Sequence, residues 1–183
     1  LGVADYYAAG WKPFGSTAGG DVHRELLPTT YTFAMTYAGA RIQKAQNVAI
    51  DPLVVFETRD VTVRLQDSAG NPLDPGVADY YAAGWKAFGG TAGGEVHREL
   101  LPTPYTFAMS YAGARIQKAQ NVATDPLVVF GAGSVVSASG TCSSYYAAGW
   151  RTFTPGMQLL PLAYTFGFSS GTPTQQSFTI QAG

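Results

Sequence analysis

The chain has 183 residues, 46% hydrophobic and 13% charged, with 11 Lys and Arg against 12 Asp and Glu. A formal net charge of −1 supplies no basic field for a nucleic acid or an anionic membrane, and no run nears the roughly 18 apolar residues of a membrane-crossing helix. With 22 Gly, 11 Pro, 10 Phe, 11 Tyr, 3 Trp and one Cys, the composition favours short strands joined by turns and excludes an internal disulfide.

Leu1 to Tyr7 carry no initiator Met, basic segment or apolar stretch, so any secretion signal is expected to lie outside this segment. Tyr6-Tyr7-Ala8-Ala9-Gly10-Trp11 opens the pattern. A strand alternates its side chains between two faces, so one Tyr of the pair must point inward and the other outward. Gln43 to Ala49 has room for one helical turn, but Asn47 and β-branched Val48 favour strand or loop. Glu57 to Asp60, without Gly, Pro or Ser-rich sequence, predicts a short, stiff linker.

Val61-Thr62-Val63-Arg64-Leu65-Gln66 alternates apolar and polar residues as a half-buried strand, and Asp67 to Pro72 is a turn cluster. The first pattern then returns. Gly2 to Phe56 realigns on Gly76 to Phe130 at an offset of 74, with only six of 55 positions different: Pro13/Ala87, Ser16/Gly90, Asp21/Glu95, Thr30/Pro104, Thr36/Ser110 and Ile50/Thr124. Within the second copy, Val77 to Trp85 reads as an aromatic strand and Glu95 to Leu101 as a hairpin arm after Gly93-Gly94. Tyr105 to Tyr111 reads as a strand with four large side chains on one face, and Leu127 to Phe130 as a last, β-branched strand. A third, shortened copy starts at Tyr145 to Trp150, passes Phe153 and rejoins at Leu159-Leu160-Pro161 and Tyr164-Thr165-Phe166. It keeps the aromatic and Leu-Leu-Pro signals and drops the Gly-rich turn and the His-Arg-Glu segment, so the shared part is read as architectural.

The order Val-Thr-Val-Arg-Leu-Gln-Asp, Ser-Ala-Gly-Asn-Pro-Leu, aromatic strand, Gly hairpin, Leu100-Leu101-Pro102 and Tyr105-Thr106-Phe107 resembles the transthyretin-like β-sandwich repeats of bacterial secreted proteins. These are the B-type repeats of collagen adhesins and the carboxypeptidase regulatory-like domains. The resemblance implies an all-β, Ig-like or transthyretin-like fold of tandem antiparallel β-sandwiches arranged as a rod, serving as stalk or spacer on a cell surface. The Gly such families place before the Tyr is replaced here by Thr29-Thr30, Thr103-Pro104 and Leu162-Ala163. The Lys–Asn isopeptide crosslink of some adhesin repeats is not expected. The first strand carries Arg64 and no Lys, the last carries no Asn, and Arg supplies no neutral amine nucleophile.

The expected units are residues 1–57, a sandwich without its first strand; 58–131, complete; and 132–183, a divergent terminal cap. Leu1 aligns with Pro75, so nothing ahead of copy one matches Val61 to Gln66. A sandwich without that strand presents unpaired backbone groups along a groove. Truncation is the preferred explanation; the others are that Val61 to Gln66 folds back into copy one, or that a neighbouring chain inserts a strand and builds a filament.

Candidate sites are few. Tyr6, Tyr7 and Trp11, with Tyr80, Tyr81, Trp85 and Tyr145, Tyr146, Trp150, are candidates for stacking on sugar rings, although core packing is the preferred reading for the three Trp. His23 with Glu25, and His97 with Glu99, share a strand face; two ligands are too few for a metal, and a solvated face is the expected role. Arg41, Lys44, Arg115 and Lys118 are expected to balance Asp51 and Asp125, and Asp60 and the Asp-Pro junctions make weak calcium sites at most. No nucleophile elbow, zinc motif or phosphate-binding loop occurs. The expected role is therefore non-enzymatic, with no cofactor or metal: a structural or adhesive segment of an extracellular or surface-attached bacterial protein. It would associate with itself or with neighbouring repeats, with no nucleic acid and no membrane insertion. The alternative is a carbohydrate-binding module that takes a surface glycan.

Overall fold

The computed structural model describes residues 1–136, 141–169 and 174–181. Among them the chain forms strands and no helix. Copy one contains β1 (Val3–Tyr7), β2 (Trp11–Ser16), β3 (Thr30–Tyr37) and β4 (Ala40–Asn47). Next come β5 (Arg59–Gln66), β6 (Val77–Tyr81), β7 (Trp85–Gly90), β8 (Glu95–Leu100), β9 (Pro104–Tyr111), β10 (Ala114–Asn121) and β11 (Leu127–Gly131). Then follow β12 (Gly133–Val135), β13 (Cys142–Tyr146), β14 (Trp150–Thr152), β15 (Met157–Leu159), β16 (Ala163–Phe168) and β17 (Thr174–Thr179). The segment 43–47 is strand, and Arg59 and Asp60 of the expected linker are already part of β5.

One strand order recurs in three four-stranded antiparallel sheets: β2-β1-β3-β4, β7-β6-β9-β10 and β14-β13-β16-β17. Each reflects the same local chemistry. A hairpin turns at Ala-Ala-Gly, where Ala9, Ala83 and Ala148 take φ near +50°. That left-handed geometry is costly for Ala and suits a tight reversal with the following Gly. The long hairpin β9–β10 closes on Ala112-Gly113, and β3–β4 on Ala38-Gly39.

Copy two has a second layer. Strand β5 is the centre of a three-stranded sheet, antiparallel to β8 and parallel to β11. The parallel pair departs from the all-antiparallel expectation. The chain leaves β10, crosses from one sheet to the other over residues 122–126, and so enters β11 at the end where β5 also begins. The period-two pattern of β5 sends Val61, Val63 and Leu65 inward, all fully buried, against Tyr80, Phe88, Tyr105, Phe107 and Met109 from the facing sheet. Rings meet edge to face, Phe88 on Phe107 at 5.9 Å and Tyr80 on Tyr105 at 5.9 Å. Such pairs add to the stabilisation from area burial.

Two phenols are tied into this packing. Tyr105 donates its hydroxyl to the Leu101 carbonyl at 3.1 Å, and Tyr164 to the Leu160 carbonyl at 3.0 Å. Burial pushes both up to about 12. Because the folded value lies above the ordinary 10, their contribution is complete below pH 10 and lost as pH rises through 12. Circular dichroism should therefore report a fold stable to about pH 10 that melts progressively over the next two units. The double variant Tyr105→Phe, Tyr164→Phe should flatten that limb, and an unchanged limb would contradict the assignment.

Candidate functional site

The Tyr-Tyr-Ala-Ala-Gly-Trp motif resolves into three jobs. Its first Tyr goes inward: Tyr80 and Tyr145 are buried and Tyr6 is half-buried. These rings belong to the core, so Tyr80 and Tyr145 offer no face to a sugar. Their hydroxyls do something the sequence did not reveal. Tyr80 donates to the Ala38 carbonyl at 2.9 Å, and Tyr145 donates to the Ala112 carbonyl at 3.0 Å. In both cases the acceptor is the hairpin turn of the preceding copy. The motif's Ala-Ala-Gly turn receives that same hairpin. A Cβ on Gly39 would lie 2.7 Å from the Ala82 carbonyl oxygen, and one on Gly113 2.8 Å from that of Ala147. Only Gly permits this approach, and φ near +85° at both positions reinforces the requirement. Ala82 and Ala147 are buried by the contact, while the matching Ala8 of copy one is half-buried.

The second Tyr and the Trp go outward, which corrects the core assignment of Trp11, Trp85 and Trp150. Tyr81 is 50% and Trp85 43% exposed, with Tyr7, Trp11, Tyr146 and Trp150 alike. The hairpin register explains it. Tyr81 sits directly opposite Trp85, so the two share a face. They meet edge to face at 5.6 Å, as do Tyr7 with Trp11 at 5.6 Å and Tyr146 with Trp150 at 5.7 Å.

Gly167 of β16 lies against Trp150, a Cβ there falling 3.4 Å from the indole. In copies one and two a guanidinium covers the indole, Arg41 over Trp11 at 4.4 Å and Arg115 over Trp85 at 4.5 Å. Arg41 pairs with Asp5 at 3.2 Å and Arg115 with Asp79 at 3.1 Å. These two Arg therefore pair with aspartates across an intervening strand and not with Asp51 and Asp125 as expected. Gln120 donates to the Asp125 carboxylate at 2.7 Å.

His97 is exposed on β8. Its Nδ1 lies 3.0 Å from the Thr62 hydroxyl and 3.8 Å from Asp60, and its Nε2 3.6 Å from Glu95. Glu95 is also held by Arg64, whose Nε donates to it at 2.6 Å. Among the described residues no group of three His, Cys, Asp or Glu side chains forms a metal cluster. Burial pushes the Cys142 thiol up, away from the reactive thiolate. Asp74 stands across the turn from Gly93 and Gly94, accepting their amides at 2.7 and 3.1 Å, and the Gly94 amide foremost lowers its carboxyl.

A concavity opens in copy one. A groove of about 700 Å³ runs between Phe14, Leu26, Phe33, Met35, Val54 and Phe56. Residues 21–27 and 51–58, whose counterparts form β8 and β11, are not strands here. A second hollow of about 500 Å³ in copy three is lined by Val135, Phe153, Phe168, Phe178 and Ile180. No family model, curated protein or solved structure matches the chain.

Proposed function

We propose that the chain is a non-enzymatic structural segment, a row of β-sandwich units of the transthyretin-like type that spaces or joins other parts of an extracellular bacterial surface protein. The observation that carries this reading is the twice-made joint. The hairpin turn of one copy sits on the Ala-Ala-Gly turn of the next and accepts its Tyr hydroxyl, at Ala38–Tyr80 and again at Ala112–Tyr145. A contact repeated with the same atoms supports a junction of one kind between successive copies, as a stiff, extended array of repeats requires. Residues 1–57, 58–131 and 132–183 are the units in this reading. Small-angle scattering should give an elongated particle that behaves as one body, and Gly113→Ala should broaden it by loosening the joint. A compact particle, unchanged by Gly113→Ala, would overturn the proposal.

A second reading rests on a separate observation, the three outward Tyr–Trp pairs. Paired aromatic faces with an adjacent Arg suit stacking on the apolar face of a sugar ring, with hydrogen bonds to its hydroxyls. Tyr81→Ala and Trp85→Ala remove half-exposed rings, so each is expected to cost no more than about 1 kcal/mol of stability. On a glycan array the native chain should bind and the pairwise variants of all three copies should not. An array without signal leaves the spacer alone.

A further inference from the structure

Residues 2–56 and 76–130 differ at so few positions that the difference in their structure is traced to what surrounds them. The difference is systematic. Leu27 is 77% exposed where Leu101 is 1% exposed. Phe14, Leu26, Met35, Val48, Val54 and Phe56 are half-buried where Phe88, Leu100, Met109, Val122, Val128 and Phe130 are buried. What copy two has in addition is β5, whose Val61, Val63 and Leu65 fill the space between these side chains. Strand β5 also supplies the backbone partners that make strands of 95–100 and 127–131. It is committed there and does not fold back into copy one.

We infer that the groove of residues 1–57 is an acceptor for one extended segment of the Val-x-Val-Arg-Leu type, entering from outside these 183 residues. The walls themselves specify the occupant. Three apolar side chains at alternate positions match the depth that Val61, Val63 and Leu65 fill in the duplicate. A cation between the last two answers Asp21, which stands where Glu95 receives Arg64. On its two sides the segment pairs antiparallel with 21–26 and parallel with 53–57, as β5 does with β8 and β11. The inference builds on the sandwich reading of each copy and names the partner that copy one receives.

The test uses a synthetic peptide of residues 58–67 with the full chain. Titration calorimetry should give one peptide per chain, and hydrogen exchange should show new protection at 22–26 and 53–56. The substitutions Asp21 for Glu95 and Ile50 for Thr124 distinguish the fragments of copy one from those of copy two. A peptide carrying Val63→Asp should bind at least tenfold more weakly. Asp21 is exposed, so Asp21→Lys should fold normally, weaken the native peptide severalfold and regain affinity for a peptide with Arg64→Asp.

No binding, equal binding of the Val63→Asp peptide, or protection confined to copy two would overturn the inference. Concentration-dependent self-association of the chain that the peptide abolishes would overturn it in favour of a second copy as occupant. Peptide binding and local protection do not bear on the shape of the single chain, so the spacer proposal stands or falls separately.

Discussion

Leu101→Ala is expected to cost about 2–5 kcal/mol of stability, whereas Leu27→Ala, the same substitution in a nearly identical sequence, should change it by no more than about 0.5 kcal/mol. Leu101 is 1% exposed beside a buried Leu100, and its truncation leaves a cavity that surrounding rings cannot fill. Leu27 is 77% exposed, so its removal takes little apolar area out of contact. Urea unfolding of the two variants measures this directly. Equal costs would mean that copy one is closed in the same way as copy two, and that the groove does not exist in solution.

Val63→Asp should be among the most destabilising single changes in copy two. The side chain is fully buried at the centre of the three-stranded sheet, and no cation lies among the core residues it faces. An unpaired carboxylate there is expected to cost about 3–5 kcal/mol. The consequence is specific in space. If β5 leaves, residues 95–100 and 127–131 lose their partner and should behave like 21–27 and 51–58, while the sheet β7-β6-β9-β10 persists as its counterpart does in copy one. Retention of native proteolytic resistance at 95–100 in this variant would show that β5 is dispensable to the second layer.

Much of this architecture was legible in the sequence because period-two alternation and turn chemistry are local. Val61 to Gln66, Tyr105 to Tyr111 and the Asp67 to Pro72 turn are each set by neighbours within a few residues. Asp67 accepts the amides of Ala69 and Asn71 at 2.9 and 2.8 Å, closing the turn on itself. The open groove was also visible, since near-identity of two copies turns a missing segment into a structural statement. What depends on register was not. Whether Trp85 faces in or out is decided by how many residues the Ala-Ala-Gly turn occupies, because that number places Trp85 opposite Tyr81. The partners of Arg41 and Arg115 lie on β1 and β6, across an intervening strand, and no spacing along the chain reveals them. The parallel entry of β11 follows from a crossing between sheets. The joint at Tyr80 and Tyr145 needs contact between residues of successive copies that stand 42 and 33 positions apart in sequence.

The second hollow, in copy three, is lined by Phe178 of β17, by Phe166 and Phe168 of β16 and by Val135 of β12. Its β12–β15 pair repeats the β5–β8 pairing in shorter form. This agrees with the architectural role assigned to the signals the third copy keeps.

Two stretches of almost the same sequence differ in whether a β5-like strand lies between their sheet edges. Amide hydrogen exchange of the native 183-residue chain should show 96–100 and 127–131 protected to the level of global unfolding, and 22–26 and 53–57 exchanging many times faster. Matching protection in both pairs of segments would contradict the claim that a single strand, present in one copy and wanting in the other, is what separates them.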